Sequence, residues 1–371
     1  MSVGDEQRLE TFIHQNPSIK YFQLLWIDTV GISRVRVLTK SYLLHLVSSK
    51  QSFATLQSVF SRLQDDTPNG QQLCTAAGKA EVMPDFASLR PSGYRDGYAS
   101  MMCTFQGEDG QPLTFDPRAA LIKILDKLAG HGVMLRCGFE LEFTLFDAET
   151  STTKKVSPFE RQWSSSRALT NRALDVLDDI ISSLQRSDIG VMQFHAEYGP
   201  AQYEISTMPL PAKDATDTLM CTKETIHHVC EANMLDATFY PKPVSDGPGT
   251  GAHLHFSIEG CDSEDSFVAG ILANLGSICA FSLPIVDSYA RVEDSSWAGG
   301  TWMAWGTQNR EVPLRKIEPG HWEFRVMDGT ANVYLVLAAI VAAGIHGLKE
   351  HMPLAMHDCQ GEDYFWIIAR R

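Results

Sequence analysis

None of the eight cysteines, Cys74, Cys103, Cys137, Cys221, Cys230, Cys261, Cys279 and Cys359, stands in a Cys-x-x-Cys pair. Structural zinc sites and dithiol redox centres need that spacing, so both are excluded and the thiols read as reduced packing residues. Basic residues are in short supply: 31 Lys and Arg face 45 Asp and Glu, for a formal net charge of -14. Nucleic acids and anionic membranes demand basic surfaces, so neither is expected as a partner. No apolar stretch is long enough to span a bilayer, and the longest, 334–345, is rich in small residues and predicts a buried helix. The opening Met1-Ser2-Val3-Gly4-Asp5-Glu6 carries no apolar segment, which predicts no signal peptide and a cytoplasmic location. Internal repeats and low-complexity tracts are missing, and Gly247-Pro248-Gly249-Thr250-Gly251 matches neither a P-loop nor a dinucleotide fingerprint.

What the chain does have is 44% hydrophobic residues in 371, enough for a real core, and acids set at strand spacing. In Phe139-Glu140-Leu141-Glu142-Phe143-Thr144-Leu145 the two glutamates share one strand face, while Phe139, Leu141, Phe143 and Leu145 share the other. The same period puts His195 beside Glu197, and Gln202 beside Glu204 with Tyr203 and Ile205 opposed, around a turn at Gly199-Pro200. His253 and His255 flank Leu254, and in Trp322-Glu323-Phe324-Arg325-Val326 an acid and a guanidinium share a face. One Glu on a strand is ordinarily a solvated face; the repetition of this pattern over four stretches argues for a placed set. Burying so many carboxylates costs several kcal/mol per unpaired ion, so a cation is implied. Carboxylate oxygens with one or two imidazoles suit Mg²⁺ or Mn²⁺.

Around these stretches the pattern predicts a helix over 5–16, a hairpin over 21–37, a strand over 99–106, and a helix opened by Asp116 as N-cap with Pro117 in its first turn, ending near Gly130. Residues 85–98 read as loop-like, 151–166 as a surface loop and 65–70 as an exposed loop, with no structure assigned over the rest of 50–78. Helical patterns over 167–185, 213–235, 265–281 and 331–348 alternate with the acid-bearing strands. The expectation is an α+β chain, with a small β-rich unit at 1–110 and a catalytic unit at 111–371.

Taken in order, Gly138-Phe139-Glu140-Leu141-Glu142-Phe143, Phe194-His195-Ala196-Glu197, Gln202-Tyr203-Glu204, Gly249-Thr250-Gly251-Ala252-His253-Leu254-His255, Asn309-Arg310 and Glu323-Phe324-Arg325 resemble the glutamine synthetase superfamily. Met83-Pro84-Asp85, Asp116-Pro117-Arg118 and Asp328-Gly329-Thr330-Ala331-Asn332 extend that likeness over nearly the whole chain. Trp297-Ala298-Gly299-Gly300-Thr301-Trp302 and Trp305-Gly306-Thr307-Gln308 are similar to the fungal FluG-type synthetase domain. The resemblance implies a type I-like fold, with a β-grasp-like N-terminal domain and a curved antiparallel sheet bearing the metal ligands. It implies one divalent ion on Glu142, Glu197 and Glu204, a second on Glu140, His253 and Glu323, and a third arriving with ATP. Arg310 and Arg325 would then neutralise the transferred phosphoryl group, Arg291 would grip the substrate carboxylate beside Gly249, and Arg315, His255 and Ser257 would serve the nucleotide. The implied reaction activates glutamate as γ-glutamyl phosphate, which ammonia or another amine displaces, in a homo-oligomeric ring with sites between subunits.

Several positions depart from the family. No counterpart to its Asp-Gly-Ser-Ser ammonium segment is found over 50–78, and Trp297 stands where its flap carries a Glu. Exchanging two carboxylates for apolar surface favours an amine with an apolar substituent over ammonium. Pro248 replaces an Asn that contacts glutamate, His321 lies near an Arg that contacts nucleotide, and the chain stops soon after its last long helix, at Ile367-Ile368-Ala369-Arg370-Arg371. The alternative is a non-catalytic relative kept for assembly or signalling; the full ligand set favours catalysis.

Overall fold

Alternating side chains in Tyr21–Ile27 (β1) and Ser33–Thr39 (β2) build an antiparallel hairpin. Its turn is tied by buried Asp28, which accepts from the N–H groups of Val30 and Ile32 and from Arg34 Nε. Phe53–Leu56 (β3), Lys79–Pro84 (β4), Arg90–Pro91 (β5) and Tyr98–Gln106 (β6) complete a sheet of order β2-β1-β6-β4-β3, with β5 on β6 and only β1 and β6 parallel. Val3–Gln15 (α1) and Lys40–Ser48 (α2) supply Leu9, Leu43, Leu46 and Val47 to its core, among Phe22, Leu24, Trp26, Phe60 and Phe105. Burying each such side chain is worth about 1.5–3 kcal/mol. The sequence reading assigns nothing to 40–48, where Thr39 caps the helix through the N–H of Tyr42. The computed structural model describes residues 3–60, 62–63, 65, 67, 78–157, 163–244 and 247–360. The expected loop at 65–70, the 158–162 part of the loop at 151–166 and the C-terminal Ile367 to Arg371 therefore lie wholly or largely outside the described residues.

The chain divides into two compact units, Met1–Lys123 with Ser182–Ile189, and Ile124–Ile181 with Gly190–Arg371. Residue 110 falls within the first of them. Pro117–Ala129 (α3) begins as expected, Asp116 accepting from the N–H groups of Arg118 and Ala119. Asn171–Arg186 (α4), Ala212–Ala232 (α5), Glu264–Ala273 (α6), Leu275–Ser282 (α7), Val286–Arg291 (α8) and Val333–Lys349 (α9) follow.

The helix expected over 265–281 is in fact two, α6 and α7, bent by 70°. Asn274 stands at the break and caps both helices: its side-chain amide donates to the carbonyl of Gly270 at 2.9 Å, while its own carbonyl accepts from Ser277 and Ile278 to start the next helix. Contact between α6 and α9 is close because a Cβ on Gly270 or Gly347 would lie 2.2 Å or 2.0 Å from a carbonyl of the other helix. Among the described residues no single helix is long and apolar enough to cross a membrane.

Met134–Asp147 (β7), Val191–Ala196 (β8), Gln202–Thr207 (β9), Leu210–Pro211 (β10), Leu235–Thr238 (β11), Ala252–Glu259 (β12), Trp305–Thr307 (β13), Leu314–Glu318 (β14) and His321–Phe324 (β15) form the second sheet. Its order is β13-β14-β15-β12-β7-β9-β8, with β10 and β11 on β7, and only the β13–β14 pair is parallel. The expected packed faces are buried: Phe139, Leu141, Phe143, Leu145, Tyr203, Ile205, Leu254, Trp322, Phe324 and Val326. The fold is mixed α+β.

Candidate active site

Register decides which acids meet. Glu140 lies opposite His253 across β7 and β12, and Glu142 lies opposite Glu204 across β7 and β9. His195 of β8 lies opposite Glu204, and Glu323 of β15 is flanked by His255 on one side and Arg315 of β14 on the other. Glu197 and Arg325 sit just past the ends of β8 and β15, not inside those strands. Six neighbouring strands thus bring their polar faces to one patch.

Within it, His253 Nδ1 is 3.5 Å from both Glu140 and Glu323, and its Nε2 is 3.9 Å from Glu142. His255 Nε2 stands 3.3 Å from Glu140 and 3.8 Å from Glu323. His195 reaches Glu204 at 3.3 Å and Glu197 at 3.5 Å. Glu142 accepts from Gln202 Nε2 at 2.8 Å and from the Gly251 N–H at 2.9 Å. Glu323 is fully buried and is taken by Arg315 Nη1 at 3.1 Å and by Arg325 Nη1 in a short contact.

The charges show what this crowding costs. Burial, and then the charge of Glu197, push Glu142 up to about 7. Burial and then Glu204 do the same to Glu197, also to about 7, and burial raises Glu204. Burial acts to raise Glu140 as well, but the imidazoles of His253 and His255 hold it well below the usual carboxylate range. His253 is driven down to about 4 by burial and then by Arg325, so at neutral pH it is an uncharged imidazole with one ring nitrogen's lone pair available. Glu204 holds His195 up at about 9.

These residues fit divalent cations. Both ring nitrogens of His253, itself 4% exposed, lack a hydrogen-bond partner, as does His255 Nε2. Ligand atoms of three sets lie within 4.8 Å of one another: Glu140, His255 and Glu323; Glu140, Glu204 and His253; His195, Glu197 and Glu204. Oxygen donors with an occasional imidazole are what Mg²⁺ and Mn²⁺ take, and no thiolate belongs to any of these sets.

Arginines line the rest. Arg291, at the end of α8 and 3% exposed, donates Nη2 to the carbonyls of Arg325 at 2.8 Å and Met327 at 3.0 Å, while its Nε lacks a partner. Gly249 must be glycine here, since a Cβ would lie 2.2 Å from Arg291 Cγ. Arg325 also donates Nη2 to the Trp297 carbonyl at 2.8 Å and Nε to the Arg310 carbonyl at 3.2 Å. Arg310 itself is exposed. Trp297 is 65% exposed, and its N–H, with that of Ser295, is held by the carboxylate of Glu311. Ser257 is half-buried opposite His321, and His321 Nε2 lies 3.0 Å from His255 Nδ1.

Sequence reasoning placed His195 next to Glu197 without giving it a role, and it missed that His255 closes onto Glu140 and Glu323. Alternation had already put Gln202 on the face of Glu204, the signal for its bond to Glu142. Trp163, whose indole N–H donates to Glu197 at 3.2 Å, comes from a polar loop with no periodicity to reveal it.

The glutamine synthetase catalytic-domain family matches residues 114–364. The chain belongs to the glutamine synthetase family. Among curated relatives, protein fluG of Emericella nidulans is 37% identical over 364 residues, which is 96% of this chain and 42% of fluG. The chain therefore spans less than half of that relative. Gamma-glutamylpolyamine synthetase GlnA3 of Streptomyces coelicolor is 28% identical over 356 residues, 89% of this chain and 76% of GlnA3. A solved GmaS/ADP complex shares the synthetase fold with a TM-score of 0.86 at 23% identity, covering 97% of this chain and 85% of that one.

Proposed function

We propose that the chain is an ATP-dependent ligase that joins the γ-carboxylate of glutamate to an amine. The observation that carries this reading is the acid and imidazole patch, with buried Arg291 and Arg325 at its rim and both nitrogens of His253 unpartnered. Glu142, Glu197 and Glu204 would hold one divalent ion, and Glu140, His253 and Glu323 another; His195 converges with Glu197 and Glu204, and His255 with Glu140 and Glu323, while Glu142 stands opposite Glu204. When bound, such ions offset charge on the acids and on phosphoryl oxygens.

The chain's own groups account for the rest. Arg291 Nε is a buried donor free for a substrate carboxylate, and its guanidinium is fixed by two carbonyls, so orientation is set before substrate arrives. Arg325, anchored by Glu323, Trp297 and Arg310, presents a cation where a γ-carboxylate accepts a phosphoryl group. That step makes γ-glutamyl phosphate, whose phosphate an amine nitrogen then displaces. Arg310, Arg315, His255 and Ser257 serve the nucleotide and its phosphates. Trp297 gives the loop over Arg325 an apolar side chain, and GlnA3 carries a polyamine in its name; both support an amine larger than ammonia. Assembly as a ring with sites between subunits belongs to the same proposal.

Mass spectrometry of the product formed from ATP, glutamate and a primary amine tests it. A γ-glutamyl amide is expected; no new amide with ammonia or any amine would overturn it.

A further inference from the structure

Behind the turn that follows Arg325 lies a half-buried lysine that the metal, phosphoryl and carboxylate roles leave unused. Lys223 of α5 donates Nζ to the Gly329 carbonyl at 2.5 Å, and the same ammonium stands 5.2 Å from the centre of the Phe239 ring. Gly329 seats directly on Phe239, since a Cβ there would lie 2.4 Å from Phe239 Cβ. Loss of water pushes Lys223 down to about 8, while the charges of Glu224 and then Asp328 work to keep it protonated.

Asp328 is the link to the substrate. It is 1% exposed, its Oδ1 accepts from the N–H and hydroxyl of Thr330, and its Oδ2 has no hydrogen-bond partner. Its charge acts on two cations, Lys223 and Arg291, and for Arg291 it is the leading charge that favours the guanidinium, ahead of Glu142. A buried carboxylate of this kind is costly unless cations neutralise it. Whatever neutralisation Arg291 supplies is subtracted from what it can offer an incoming carboxylate. The same two cations pin one segment: Arg291 holds the carbonyls of Arg325 and Met327, and Lys223 holds that of Gly329.

We propose that Lys223 is a positioning residue for substrate binding: it neutralises Asp328 and fixes the Gly329 carbonyl, which leaves the charge of Arg291 for the substrate carboxylate. This rests on the ligase reading, in which that carboxylate belongs to glutamate. Lys223 touches no substrate and acts through Asp328 and Arg291.

A double-mutant cycle separates this charge effect from packing. Lys223→Met keeps the length of the stem and loses the charge, while Asp328→Asn loses the charge and keeps an acceptor for Thr330. KM values for glutamate and ATP are compared, together with calorimetric titration of glutamate into protein loaded with Mn²⁺ and ADP. Lys223→Met is expected to raise the glutamate KM and Kd about tenfold, with the ATP KM moved less than about twofold. In the Asp328→Asn background the same substitution should move the glutamate values less than about twofold, because the charge to be neutralised is gone. Asp328→Asn alone, a test that stands even if Lys223→Met does not fold, should tighten glutamate binding. Equal effects of Lys223→Met in both backgrounds, equal effects on glutamate and ATP, or weaker glutamate binding in Asp328→Asn would overturn the proposal. Glutamate binding that follows the cycle, in a protein that turns over no acceptor, would sink the ligase reading and leave the role of Lys223 standing. Turnover with additive effects in the cycle would do the reverse.

Discussion

Stripping divalent cations should make the folded state lose stability as pH rises from 6.5 to 8, and restoring them should remove most of that loss. Glu142 and Glu197 sit at about 7, raised by burial and then by neighbouring acids, against 4.5 for an unconstrained glutamate. Such a carboxyl keeps its proton in the native state after the unfolded chain has released it, so stability falls as pH climbs toward the folded value. His195, held near 9 by Glu204, acts in the same direction: its stabilisation is complete below 6.5 and is lost as pH rises through 9. Buried His253, at about 4, has the opposite sign and is only half spent at 6.5, where the unfolded imidazole titrates, so it offsets a small part of the loss, and the effect of Lys223, at about 8, begins only at the top of the window. Across the window His195 contributes at most about 2 kcal/mol and the two acids together roughly 1 kcal/mol. Urea unfolding followed by tryptophan fluorescence, with chelator and with saturating Mn²⁺, measures it. We expect a loss of about 2–3 kcal/mol without metal and under about 1 kcal/mol with it. Equal stability of the chelated protein at both pH values, or no gain from Mn²⁺ at pH 8, would refute the reasoning.

Other perturbations probe single contacts. Gly249→Ala drives a methyl into the Arg291 stem, which cannot yield because its guanidinium is tied to two carbonyls; the glutamate KM should rise about tenfold or more, with the ATP KM little changed. Glu311→Ala frees the N–H groups of Ser295 and Trp297, so discrimination between amines should narrow while thermal stability moves by less than about 1 kcal/mol. Trp297→Ala should shift preference toward ammonia in competition assays, and an unchanged ratio would remove Trp297 from acceptor choice.

Much of this arrangement was legible beforehand because a period of two is a local property. Phe139, Leu141, Phe143 and Leu145 announce β7 and the face opposite Glu140 and Glu142 without help from the rest of the chain. Register is different: that His253 faces Glu140, and His255 faces Glu323, depends on how strands distant in sequence are aligned. That is why the contacts of His195 with Glu204 and of His255 with Glu140 and Glu323 escaped. The break at Asn274 is a local cap, its side-chain amide and its backbone N–H both closing on the Gly270 carbonyl, which an apolar run conceals. Trp163 had no pattern to betray it, since a loop residue is placed by a single backbone bond, here from Ser164 to Ala196.

Phosphate release from ATP is the most direct test of the central claim, measured with Mg²⁺ or Mn²⁺, glutamate, and either ammonia or a panel of primary amines, with Glu323→Gln as control. The account predicts release that requires glutamate and metal, is faster with alkylamines than with ammonia, and falls at least about a hundredfold in the control. No release with any acceptor, from protein shown to be folded and assembled, would contradict it and leave a non-catalytic member of the family.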